Sequence, residues 1–405
     1  MSFGIALSGI NAAQADLAVT ANNVANSQTT GFKQARSEFA EMFAVSPQGV
    51  SQTQTGDGVK LAAVSQQFSQ GNIEATSNNL DLAISGQGFF VLSDSGALAY
   101  TRAGAFQTDN AGYVVNNEGQ RLQVYPVTAQ GTFNTATLTD LRLVTSDSAP
   151  AATTSAELVF NLPAAATAPV TTPFDPTDTS SYTNSTSLTV YDSLGAAHTA
   201  SLYFVKTATA NTWDTYQYVD GVAVGGAQTL AYTPSGALAT PAGGLVTYGS
   251  YTPTTGANPF TIAFDFGKTT QFGDSFGVTN VSQDGYTTGR LIGISIDSTG
   301  VVQARYTNGR SLSLGQVAIA NFANPQGLQS LGNTNWAETF TSGQALNGQA
   351  GNSGFGLIQA GSLEQSNVDI TAQLVKMIVA QRNFQANAQM ISTEDQITQS
   401  IINIR

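Results

Sequence analysis

The chain has 405 residues, 41% of them hydrophobic and only 10% charged, with 26 acidic residues against 14 basic ones and a net charge of −12. Its Lys and Arg residues are scattered singly, which argues against a nucleic-acid partner, because neutralising phosphates takes clustered cations. No cysteine is present, so disulfides, thiolate chemistry and sulfur-ligated metals are excluded together.

The first segment, MSFGIALSGINAAQADLAV, carries no basic residue before Lys33 and no continuous apolar core. It does not read as a cleaved secretory signal. Phe3, Leu7, Ile10, Leu17, Ala21 and Val24 instead fall on a 4-3 spacing with Gln14 as its polar member, which predicts a helix with a narrow heptad seam. That helix runs into ANNVANSQTTGFK, where Asn22, Asn23 and Asn26 crowd its end. Asparagine amides compete for nearby backbone groups and weaken a helix unless something uses them. Two uses are open: the amides bridge to other chains and fix register, together with Gln14, Gln381, Asn383 and Asn387, or they simply terminate the helix.

Further on the period changes from helical to β. Residues 88–125 hold short β-rich runs separated by Asp-Ser-Gly, Asp-Asn-Ala-Gly and Asn-Glu-Gly turns, a meander of hairpins. The Gly-x-Gly of SGQGFF, residues 85–90, lacks the third glycine of a dinucleotide fingerprint, so its glycines read as a turn into a strand. Residues 291–322 form a second β block with Asp-Ser-Thr-Gly and Thr-Asn-Gly turns, so one β domain is expected to be assembled from two distant pieces. Between them, 145–284 is rich in Thr, Ser, Ala and Pro and has ten acidic residues against Lys206 and Lys268, contributing −8 of the −12. Such a segment suits a solvated, mutually repelling outer surface.

The last segment returns to heptads. Ile370, Leu374, Met377, Gln381, Phe384, Ala388 and Ile391 keep the 4-3 spacing, which slips near Glu394 and resumes at Ile397, Ile401 and Ile404. The slip resembles a stutter. Asp369 is a start signal, and Arg405 places a cation where the helix dipole favours one. At about 1.5 Å per residue the two helices span roughly 35 and 50 Å. They either pack on a domain surface or pair with each other and with copies from other chains.

Catalytic constellations do not emerge. His198, the single histidine, has no second His or Cys to form a metal set and reads as structural. Asp175 with Asp178, and Glu394 with Asp395, are scattered carboxylates, and calcium-loop spacing is missing. No catalytic residue, cofactor or metal is assigned.

The terminal motifs carry a resemblance. LSGINAAQADLAVTANNVANSQTTGFK and SLEQSNVDITAQLVKMIVAQRNFQANAQMISTEDQI resemble the paired end signatures of the bacterial flagellar rod and hook axial family. The inserted VYDSLGAAH…LYFVKT, with LGQVAIANFANPQGL and NTNWAETFTSG, looks like the hook branch rather than the distal rod. The resemblance implies an α+β fold. Terminal heptad helices, paired in coiled-coil fashion (1–28 and 366–405), join through a connecting segment (29–70 and 355–365) to a discontinuous β domain (71–144 and 285–354) carrying an outer β domain (145–284). It further implies a non-enzymatic structural subunit, exported through the type III apparatus without a cleaved signal and located outside the cell. Such a subunit polymerises with itself into a bendable tube that works as a universal joint, and its neighbours are distal rod, cap and hook-filament junction proteins. The residues it puts on the self-assembly surface are Phe3, Leu7, Ile10, Leu17, Asn22, Asn23, Val24, Asn26, Ile370, Leu374, Met377, Gln381, Phe384, Asn387, Ile391, Ile397 and Ile401. A distal rod component, or a secreted binding protein with oligomerising ends, are the alternative readings.

Overall fold

A computed structural model describes residues 2–42, 56–143 and 146–403. Among the described residues two α-helices stand at the ends, α1 (Ser2–Ala25) and α2 (Ile370–Asn403), and the rest is β structure, turns and a short 3-10 helix at Pro325–Gly327. Among the described residues no helix is long and apolar enough to cross a membrane. The α+β class follows from the change of period along the chain. The chain divides into two compact units.

The first unit comprises residues 1–145, 293–304 and 311–405. Its main sheet joins the two β blocks directly: in the strand Ser311–Asn321, Val317 pairs with Val124 and Ile319 with Phe90. The strand Phe89–Asp94 is buried on both faces. Phe90 and Leu92 pack with Leu122, Val317 and Ile319 on one side, while Phe89 and Val91 pack with Tyr100, Phe322 and Trp336 on the other. Alternation along the pleat puts successive side chains in different cores. Gly88, at φ +123°, leads into this strand, and a Cβ there would lie 2.2 Å from the Ile319 side chain, so the glycine is required by close approach as well as by conformation.

An antiparallel hairpin, β1 (Ala35–Met42) with β2 (Gly58–Gln66), packs beside α1, where Val59 N–H donates to Ser8 Oγ at 3.2 Å. The stretch 355–365, expected as part of a connector, instead forms two short strands. Leu357–Ala360 pairs with Leu82–Ser85, and Ser362–Glu364 pairs with Ile73–Ala75. The physical reason is Ile358, which is buried in one core with Leu82 and Ile84 of the strand it pairs with, so the segment packs as a strand rather than spanning a gap.

The second unit comprises residues 146–292 and 305–310, so it extends beyond the expected 145–284 and takes in a returning turn. A five-stranded sheet centred on Ser155–Pro163 and a six-stranded sheet running from Asn184–Tyr191 to Leu238–Thr240 supply its strands. Their inward positions share one core containing Leu158, Phe160, Leu202, Phe204, Trp213, Leu230 and Phe264. Strict buried and half-buried alternation along Thr212–Val219 marks a sheet with one face in that core.

Candidate assembly surface and its junction with the body

Asp369 caps α2, its Oδ1 accepting the N–H groups of Thr371 at 2.8 Å and Ala372 at 3.2 Å. Those are orphan donors of the first helical turn, so the cap fixes where the helix begins. Asn23 Nδ2 lies 3.3 Å from Gln373 Oε1, and Gly9 abuts Asn387. Moving fourteen residues back along α1, from Asn23 to Gly9, therefore moves fourteen forward along α2, from Gln373 to Asn387. The helices are antiparallel and in register. Because α2 is longer, the same register carries it past the start of α1 beyond Glu394, by roughly 13 Å at 1.5 Å per residue.

Small residues line the contact. Ala6, Ala13 and Thr20 recur every seven residues and are buried, as are Gln373 and Ala380 on α2. A Cβ at Gly9 would sit 2.4 Å from the Asn387 amide. Alanine and glycine let two helix backbones approach closely, which leaves no room for leucine in the same seam. The intrachain contact accordingly lies one position round from the apolar series read in the sequence. Met377 and Ile391 are half-buried beside it, as are Ile10, Leu17 and Val24 on α1. The remaining large members point outward: Phe3 is 53% exposed, Leu7 44%, Ile370 45%, Leu374 46%, Phe384 41% and Ile397 51%. Val375, Ile378, Val379 and Met390 join them. Ile401 belongs to α2, while Ile404 and Arg405 lie outside the described residues. Gln14 and Gln381 are exposed and, with Ala13, Leu17, Phe384 and Gln385, border an open cleft of about 590 Å³ between the helices.

Within the single chain Asn23, Asn26 and Asn387 already have hydrogen-bond partners. Asn23 is 1% exposed and is used inside the chain, donating to Ala35 O at 2.8 Å and accepting Ala35 N–H at 2.9 Å. It copies a strand-like pairing and so fastens α1 to the start of β1. Asn26 Nδ2 donates to Asn22 O at 3.0 Å, and Thr29 Oγ1 donates to Asn26 Oδ1 at 3.1 Å; these contacts close the helix end, while the Asn22 side chain stays exposed. Asn387 Nδ2 donates to Asn383 O within its own helix. Asn26 and Asn387 thus satisfy their amides on the carbonyl four residues back, a local bond open to short side chains on a helix.

Both chain ends then meet the body at a buried ionic junction that sequence reasoning missed. Glu364 has no exposed side-chain surface and accepts Lys33 Nζ at 2.6 Å and Arg102 NH1 at 3.2 Å. It also accepts Gly71 N–H at 2.8 Å, and its backbone carbonyl takes Gly31 N–H at 2.8 Å. Lys33 Nζ donates further to Ser69 O at 2.8 Å, and Arg102 NH2 to Gly86 O at 2.8 Å. Burial lowers the pKa of Lys33 and of Arg102, against the opposing pull of Glu364. Gly31 holds φ +69° and its Cβ would collide with Ala103 N at 2.4 Å. Asn367 locks the same region, accepting Gln34 N–H at 2.8 Å and donating to Gln67 O at 2.8 Å. The available signal was that three ions of a charge-poor chain sit within GFK, YTRAGAF and SLEQSNVD. No spacing rule brings them together, since the strand Ser362–Glu364 reaches Lys33 only through the fold.

Comparison with known proteins agrees with this arrangement piece by piece. Residues 3–33 match the family described as Flagella basal body rod protein, and 359–404 match Flagellar basal body rod FlgEFG protein C-terminal. Residues 83–167 match the Flagellar hook protein FlgE/F/G D1 domain, and 161–286 the Flagellar basal body protein FlaE D2 domain. Terminal helices folded back on each other around such β units define an axial subunit of the bacterial flagellum. The chain is 40% identical to the flagellar hook protein FlgE of Escherichia coli strain K12 over 417 residues, and 41% identical to that of Salmonella typhimurium strain LT2 over 419 residues, with 100% of each chain covered. It belongs to the flagellar hook protein family and is a structural subunit of the hook. The crystal structure of Helicobacter pylori flagellar hook protein FlgE2 shares the fold, with a TM-score of 0.55 and 15% identity over 72% of this chain and 100% of that one. The full-length match to hook proteins sets aside the distal rod and secreted-binder readings.

Proposed function

We propose that this subunit polymerises by burying the outward apolar residues of α1 and α2 against neighbouring copies, in coiled-coil fashion, to form the inner wall of a bendable tube that carries torque as a universal joint. The observation that supports this is the division of labour on the helix pair: small residues meet inside the chain, and Phe3, Leu7, Leu374, Val375, Ile378 and Phe384 stay exposed. An apolar row of this length on a water-facing helix is a contact surface awaiting a partner. Burying of order 600 Å² per subunit at about 25 cal/mol per Å² favours association by roughly 15 kcal/mol before ordering costs.

The acidic second unit, roughly 145–284, forms the outer layer and slides against its neighbours, because its few charges and many small polar groups make shallow contacts with several packings of similar energy. The same reading has the chain exported unfolded through the type III apparatus without a cleaved signal. Outside the cell it is added between distal rod and hook-filament junction, beneath a cap.

Leu374→Asp tests the central step. The site is exposed in the single chain, so folding changes by less than about 0.5 kcal/mol, while electron microscopy of purified protein is expected to show tubes for the parent and none for the variant. Normal tubes from the variant refute the assembly surface. Removal of 145–284 is expected to leave a polymer with altered curvature or stiffness, and complete loss of polymer refutes the outer-layer role.

A further inference from the structure

The second unit contains an arrangement that the assembly reading does not use and that stands independently of it. His198 lies in the strand Ala197–Lys206 and is 6% exposed. Its Nδ1 is 2.6 Å from Asp220 Oδ2, and its Nε2 is 3.2 Å from Asp192 Oδ2. Asp192 sits in the turn before that strand and Asp220 in the turn after the strand Thr212–Val219. From the strand Leu245–Tyr251 of the other sheet the Tyr251 hydroxyl donates to Asp220 Oδ2 at 3.3 Å, and from the loop beyond it Thr255 Oγ1 donates to Asp192 Oδ2 at 2.8 Å. The ring is bordered edge-on by Tyr251 and flanked by Phe260. Among the described residues, the titratable groups facing the imidazole are Asp192, Asp220 and Tyr251.

A neutral imidazole has one N–H and one lone pair, so either tautomer would aim a lone pair at a carboxylate oxygen, of the fully buried Asp192 or of Asp220, whose side chain is 40% exposed. Both carboxylates already accept other donors. Asp192 Oδ1 accepts the N–H groups of Leu194 and Ala196 at 2.9 Å each, and Asp220 Oδ1 accepts Thr199 N–H at 2.9 Å. Neither has reason to take up a proton and become the missing donor. The ring therefore has to carry both protons for the geometry to be satisfied.

We propose that His198 is a proton-operated latch: as an imidazolium it ties the 192–196 turn, the 219–222 turn and the 251–260 loop together, and on losing one proton it releases that end of the unit. Burial works against the charged ring, but the two carboxylates outweigh it and raise its pKa above the ordinary 6.5. The sign follows from linkage. A base whose folded pKa is raised contributes stability that is complete below 6.5 and disappears as the pH climbs through the folded value. The latch is closed below pH 6.5 and opens as the pH rises through the folded value.

His198 is the only histidine, so nitrogen NMR of the dilute full-length chain reads it without ambiguity. Both ring nitrogens are expected to be protonated below pH 6.5, with a titration midpoint above 6.5 that the amides of Leu194, Ala196 and Thr199 share. A single neutral tautomer below pH 6.5, or a midpoint at or below 6.5, overturns the proposal. A second measurement follows Trp213 fluorescence during urea unfolding in a Trp336→Phe background, leaving a reporter only in the second unit. The midpoint is expected to fall between about pH 6 and pH 9 in the parent and to stay level in His198→Gln, and an equal fall in both overturns the latch. Should His198→Gln fail to fold, Asp220→Asn keeps the ring and removes one carboxylate; its histidine midpoint is expected to drop, and an unchanged midpoint is equally fatal.

Discussion

Glu364→Gln is the sharpest test of how the chain ends are held. Among the described residues Glu364 is the anion paired with Lys33 and Arg102, both almost wholly enclosed. Removing its charge leaves two like charges in a buried site, a situation that costs about 3–5 kcal/mol. Glutamine keeps the size, so packing changes little, but its NH₂ faces at least one cation. Lys33→Met is the informative companion. It leaves Glu364 paired with Arg102, a neutral cluster, while Ser69 O keeps the Asn367 amide and Glu364 Oε1 keeps Gly71 N–H as donors, so a smaller loss of about 1–3 kcal/mol is expected. Urea unfolding read at Trp336, with Trp213→Phe as background, measures both. Exchange of the Gly31 and Gly71 amides, which donate to Glu364, should accelerate in parallel for the glutamine variant. With a urea slope of about 1–3 kcal/mol per M, the Glu364→Gln midpoint moves by one molar or more. A loss below about 1 kcal/mol, or Lys33→Met costing more than Glu364→Gln, refutes a junction held by that carboxylate.

Asn23→Ala removes two bonds to Ala35 and is expected to cost about 1–3 kcal/mol, seen as lost helical circular dichroism in the dilute chain; intact dichroism with altered tubes would restore a role between chains. Ala380→Leu forces a large side chain into the close helix contact and should cost about 1–3 kcal/mol, whereas the same change at exposed Ala386 stays within about 0.5 kcal/mol. For Asp192, burial favours the protonated form, but donation from Thr255, Ala196, His198 and Leu194 holds its pKa down to about 2. Its contribution is therefore complete above the ordinary 3.8 and lost as the pH falls through about 2. Trp213 fluorescence should show that acid loss in the parent and a flatter profile in Asp192→Asn.

The helices were legible because their period is strong and their start carries a cap. Asp369 and the 4-3 series locate α2, and the β blocks announce themselves through turn residues, as at Gly88. What the residues did not disclose is which stripe of each helix turns inward. A heptad count ranks Leu374 above Gln373 because leucine is more apolar, yet close approach ranks them the other way, since only small side chains or ones with a partner fit between touching backbones. Gln373 meets Asn23 and Gln34 there. The junction was hidden for a different reason. Ion pairing between Lys33, Arg102 and Glu364 depends on strand register set far away in sequence, and a buried charge looks the same as a solvated one until the fold is known. His198 reads as structural for want of a second metal ligand. Its partners proved to be carboxylates from two turns, one of them only six residues away within VYDSLGAAH.

Putting alanines inside and leucines outside inverts the usual order of a soluble helix pair, and the inversion has a mechanical consequence. Close small-residue contact, the Asn23 clasp and the Glu364 junction make each pair a stiff spoke fixed to its own β body. In the assembly proposed above, the apolar face would be presented at a set angle, and neighbouring pairs would join through side chains rather than by exchanging backbone. A stiff spoke with a sticky outer face would transmit rotation without needing a strong contact elsewhere. The second unit would then be free to keep weak contacts, which a tube needs on the side that stretches and shortens once per turn.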